Sequence, residues 1–156
     1  MITSAHICYE SSKNNLELQL LGTLIEKNTN WKTMPTEWSD CGIVIPQLIV
    51  LTPTPFIIQI ENDPEWVPEE NKEFAEWAGL SEEDELFLKL SRCDARLAIQ
   101  STAPDQITFT GKEVIAFAFG GAVDPRNSEI SNVLEIVGKE ISGVLNDCVN
   151  EELLQY

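Results

Sequence analysis

Histidine occurs once in this chain, at His6, and arginine only three times. A Ser–His–Asp or Cys–His relay would have to be built on that single imidazole, which sits among apolar residues and reads as a core or edge-strand histidine. The four cysteines, Cys8, Cys41, Cys93 and Cys148, are scattered with no C-x-x-C pair. Without ligand-spaced thiols or imidazoles a zinc site is not expected, and the cysteines are read as free, buried thiols of a reducing compartment. No apolar run approaches the roughly 20 residues of a membrane span. The longest, residues 42–51, is broken by Pro46 and Gln47. The first residues, Met1-Ile2-Thr3-Ser4-Ala5, lack the basic stretch of a secretory leader, so a cytoplasmic location is expected. Gly120-Gly121 lacks the Lys-Ser/Thr of a phosphate loop and the third glycine of a dinucleotide fingerprint, and reads as a tight turn. No cofactor is implied.

Positive charge is also scarce. Ten Lys and Arg face 26 Asp and Glu, a net charge of −16 in 156 residues. Such a field repels nucleic acid and anionic membranes and attracts cationic partners, so direct nucleic-acid or membrane binding is not expected. With 43% hydrophobic residues the chain can bury a core, and residues 1–156 are read as a single globular domain.

The patterning predicts an α+β protein with a mixed or mostly antiparallel sheet, its helices packed on one face, and a long C-terminal helix. Strands are expected at Ile2–Tyr9, Ile43–Leu51 and Phe56–Glu61, the last two joined through Pro53 and Pro55. Residues 14–27 carry both a period of two and helical pairs, and Gly22 tips the choice to strand. Residues 28–41 read as a loop. The span 69–90 is helical in two pieces, broken at Gly79, with Ser81 as cap of the second. Alternation from Arg92 to Gln100 turns Cys93, Ala95, Leu97 and Ile99 inward and Arg92, Asp94, Arg96 and Gln100 outward. A hairpin around Gly111 follows, with 114–119 as a strand apolar on both faces. The final helix opens at Asp124-Pro125 and runs as one apolar stripe from Ile130 through Ile141, Val144 and Leu145 to Cys148.

The acids are unevenly spread. Eleven of the 26 lie between Glu61 and Glu85, opposed only by Lys72, and Trp66, Phe74 and Trp77 stand among them. Charge steers encounter and a buried aromatic anchors the complex. Asp63, Glu65, Trp66, Glu69, Glu70, Glu73 and Glu76 are therefore the candidate partner-binding residues. They point to a non-enzymatic acidic binding protein, an immunity protein or inhibitor for a basic partner such as a toxin or nucleic-acid enzyme. The alternative is a small metal-assisted hydrolase or transferase using Glu61 and Asp63, with Arg92 or Arg96 as an anion site. A third reading is self-association through the C-terminal helix. Oligomeric state is not legible.

Overall fold

A computed structural model describes residues 5–101, 107–110, 113–116, 123–147 and 150–156. Seven strands form one antiparallel sheet: β1 (Ala5–Tyr9), β2 (Lys32–Asp40), β3 (Ile43–Leu51), β4 (Phe56–Glu61), β5 (Ala95–Ser101), β8 (Val144–Asp147) and β9 (Glu152–Gln155). Their order is β2-β3-β4-β5-β1-β8-β9. A separate hairpin pairs β6 (Ile107–Thr110) with β7 (Glu113–Ala116). Four helices complete the described residues: α1 (Leu18–Asn28), α2 (Val67–Trp77), α3 (Glu85–Arg92) and α4 (Ser128–Ile141). The class is α+β, as the patterning predicts.

Side chains of a strand alternate between faces, so the register fixes what each face carries. Ala5, Ile7 and Tyr9 of β1 join Leu97 and Ile99 of β5, Ile58 of β4 and Leu48 of β3 in the largest cluster. Leu21 and Ile25 of α1 and Ile130, Val133, Leu134, Val137 and Ile141 of α4 close over it. The sequence expectation put the helices on one face, but only α1 and α4 lie on this one. The other two helices lie opposite: Phe74 and Ala75 of α2 and Phe87 and Leu90 of α3 pack with Cys8, Cys93 and Val144. The central strands are therefore covered on both sides, which is why Arg96 and Ala98 are as buried as Leu97 and Ile99.

Several segments differ from the sequence expectation. Residues 18–28 are helix, not strand. Leu21, Gly22 and Ile25 share the buried side, and a Cβ at Gly22 would lie 2.8 Å from Thr33 Oγ1. The glycine that argued against a helix lets α1 approach β2. The expected loop at 28–41 contains β2. Pro35 is tolerated there because β2 is at the edge of the seven-stranded sheet and, among the described residues, pairs with β3. Asp84, not Ser81, precedes α3 as its cap residue, and its carboxylate accepts from the Ser81 amide at 2.7 Å. Arg92 ends α3, so Arg92, Asp94 and Arg96 form no ladder, and Cys93 packs on the opposite side from Ala95 and Leu97. The hairpin is present, but β7 belongs to a two-stranded sheet and not to the centre of the main one.

The last helix is shorter than its apolar stripe. Asn127 caps it, its side chain accepting from the Glu129 amide. Ser142, at φ 49°, ends it after Ile141. A Cβ at Gly143 would fall 2.4 Å from Ile7 Cγ2, so the chain passes β1 where only glycine fits. Val144 and Leu145 then belong to β8, paired with Cys8 and Ile7. Cys148 and Gly120-Gly121 lie outside the described residues. Among the described residues no helix is long and apolar enough to cross a membrane.

Candidate protein-docking site

The acidic segment begins where β4 ends. Glu61 is the last residue of that strand, opposite Arg96 of β5. Asp63 then folds the chain back: its Oδ1 accepts from the Glu65 amide at 2.8 Å and its carbonyl from the Val67 amide at 3.1 Å. Pro68 in the first turn suits the fixed φ of a helix start, and Glu69 and Glu70 there complement the helix dipole.

Helix α2 is sharply two-sided. Val67, Asn71, Phe74 and Ala75 are buried. Asn71 fastens the underside: its amide donates to the Cys93 carbonyl at 3.0 Å, and its oxygen accepts from the Cys8 thiol at 3.2 Å. At about 100° per residue, Trp66, Glu69, Glu70, Glu73, Glu76 and Trp77 fall in one sector about 120° wide on the other side. Trp66 is 39% exposed and Trp77 is 55% exposed. Five of the seven candidate residues thus share one outward stripe, and Asp63 and Glu65 are exposed in the turn that leads into it. Trp77, not among the candidates, closes the stripe at its far end. Its spacing of three helical turns from Trp66 is the signal that could have added it.

Beneath the stripe sits Arg96, read from the sequence as outward-facing. Its side chain is 5% exposed and holds Glu61 at 2.6 Å and Glu70 at 2.8 Å. The Trp66 ring lies 5.0 Å and the Phe74 ring 5.5 Å from the guanidinium carbon. His6 stacks on Phe74 at 5.4 Å. A buried cation beside two aromatic faces and two carboxylates holds α2 against the sheet and holds Trp66 in place while leaving part of its ring to solvent.

The same geometry bears on the enzymatic alternative. Glu61 and Arg96 are bound to each other, and Asp63 serves the turn. Arg92 lies elsewhere, 59% exposed and 3.6 Å from Glu10. Glu61, Asp63 and the two arginines are not gathered into one site. Among the described residues no group of three or more His, Cys, Asp or Glu is placed to hold a metal ion. Burial, and then the Arg96 charge, hold the His6 pKa at about 3, so it is neutral near pH 7. Burial drives the Cys8 thiol up and the Cys93 thiol up to about 12, so neither is a nucleophile at neutral pH. Cys41, expected to be buried, is exposed. The apolar stripe of α4 is spent on the sheet and leaves no apolar face for self-association through that helix.

The His6 environment carries a prediction. The folded state resists protonation down to about pH 3, whereas the unfolded chain takes up a proton near 6.5. Stability from this group is present above pH 6.5 and declines as pH falls towards 3. The slope is about 1.4 kcal/mol per pH unit, on the order of 3 kcal/mol by pH 4. His6→Phe keeps a ring against Phe74 and removes the titration. Urea unfolding from pH 7 to 4 should show the wild type falling more steeply than the variant; parallel curves would contradict the assignment.

Compared with protein-family models, curated proteins and solved structures, the chain matches none.

Proposed function

We propose that this is a non-enzymatic acidic binding protein whose α2 face docks onto a basic protein partner, in the manner of an immunity protein or inhibitor that covers a toxin or nucleic-acid enzyme. The observation that carries the reading is the single outward stripe Trp66–Glu69–Glu70–Glu73–Glu76–Trp77, fixed from below by Arg96. Enzymes that act on nucleic acid present cations where phosphates bind. A row of carboxylates on a rigid helix offers such a surface the charge it was built to meet. The aromatic ends supply apolar area that exposed carboxylates lack. Glu70 is half neutralised by Arg96, so Glu69, Glu73 and Glu76 carry most of the steering.

The test begins with pull-down of the wild-type protein from the cells that make it, beside Trp66→Ala and a Glu69→Lys/Glu73→Lys/Glu76→Lys variant. One basic protein at near-stoichiometric yield should be retained by the wild type and lost from both variants. With that partner in hand, stopped-flow kinetics over a salt series should show a fast on-rate that drops as salt rises. Charge is screened beyond about 8 Å at physiological ionic strength. The triple variant should mainly slow association. Trp66→Ala should mainly speed dissociation, by an amount worth about 2 kcal/mol or more. Equal binding by all three proteins would reduce the stripe to a solvated helix face.

A further inference from the structure

The turn that follows β1, the last turn of α3 and the C-terminal end of α4 enclose a cavity of about 350 Å³. Glu10, Lys13, Asn14, Lys89, Arg92 and Ser142 are among its lining residues. Three of the chain's ten Lys and Arg therefore meet in one hollow of a molecule whose net charge is −16. Only one lining carboxylate opposes them. Glu10, 18% exposed, holds Lys13 at 2.8 Å and Arg92 at 3.6 Å, one oxygen to each, and so keeps both cations at the rim. Lys89 makes no ion pair with a described residue.

The frame around the cavity is fixed. The Ser11 amide and hydroxyl both donate to Asp94, at 2.8 and 2.6 Å, tying the turn to the chain just before β5. The Asn14 amide donates to the Ile141 carbonyl at 3.3 Å, tying it to the end of α4. Lys89 and Arg92 also complement the dipole of α3, but that role needs no cavity. It does not bring Lys13 to the same hollow from another element.

We propose that this cavity binds a small phosphate monoester, with Lys13, Lys89 and Arg92 holding the phosphoryl group. Three cations face one lining carboxylate, Glu10, while the Asp94 carboxylate behind the turn is taken up by the Ser11 amide and hydroxyl. A phosphate monoester, at about −1.5 to −2 near neutral pH, offers three oxygens to the three cations, where a carboxylate offers two. Arginine's fork and the point charges of lysine both suit phosphoryl oxygens. The volume lies at the lower end of ligand pockets, which run from about 300 to 1,000 Å³, so it suits a metabolite and not a folded partner. The site shares no residue with the α2 stripe, and the two proposals stand or fall separately.

Inorganic phosphate is the probe. Thermal unfolding of the full chain is followed against phosphate concentration, with sodium chloride at matched ionic strength as control. The expected result is a saturable rise in melting temperature with phosphate that chloride does not reproduce, and a similar rise with glycerol 3-phosphate. Lys89→Gln should raise the half-saturating concentration about tenfold, and Lys89→Glu/Arg92→Glu should abolish saturation. Lys139→Glu, which removes a cation outside the cavity, should leave it unchanged. All three positions are solvent-accessible, and circular dichroism of each variant without phosphate should match the wild type. A response no larger than that of chloride, or equal responses in wild type and Lys89→Gln, overturns the proposal.

Discussion

Arg96→Ala is expected to cost the protein roughly 3–5 kcal/mol of folding free energy, the loss typical of breaking a buried ion pair from one side. The guanidinium is 5% exposed, and Glu61, at 16%, has little water to replace it. The alanine also withdraws the cation from the Trp66 and Phe74 rings, so packing beneath α2 is lost with the charge. Glu70→Gln is the contrast. Glu70 is 46% exposed, and a half-solvated pair contributes about 0–1 kcal/mol. Urea unfolding with tryptophan fluorescence measures both. A loss below about 1 kcal/mol for Arg96→Ala would mean that α2 is held by Phe74 and Asn71 without the arginine.

Leu145→Ala should cost about 2–5 kcal/mol, the range for truncating a leucine in a core that cannot collapse around the gap. Leu145 is 1% exposed, opposite Ile7 on β1, in the cluster that α1 and α4 close. Ile141→Ala, at the end of α4 on the same cluster, should fall in the same range. Denaturant midpoints with unchanged slope check both. A loss under about half a kcal/mol at both sites would mean this half of the core is loosely packed.

Leu145 also shows where the sequence misleads. Val144 and Leu145 continue the helical stripe of Ile130 to Ile141, and nothing in their spacing marks a change of element. The helix ends at Ser142, and Gly143 then passes within reach of Ile7, a residue far away in sequence. Gly22 misleads in the opposite sense. Local propensity counts it against a helix, while the packing of α1 on Thr33 requires it. Strands β1, β3, β4 and β5 and helices α2 and α3 were legible because their periodicity and their Gly and Pro breaks agree. The candidate site was legible as composition, since the acids and tryptophans from Glu61 to Glu85 stand out at once. That Glu61 and Glu70 share Arg96 was not, because covering β5 on both faces is a tertiary fact. Alternation alone sends that arginine to solvent.

The strand order has a consequence for how the chain is made. β1, which precedes the other described strands in the chain, occupies an interior place in the sheet, between β5 and β8. Its partners follow about 90 and about 140 positions later, so closing those ladders means closing very large loops. The β2–β3–β4 meander, whose pairings are all local, can assemble during synthesis. β1 must wait beside it with Ile7 and Cys8 unpaired until β5 and β8 have been made. In that interval both edges of β1 lack the partners that cover them in the finished sheet, so the folding chain carries an open strand template for longer than a meander does.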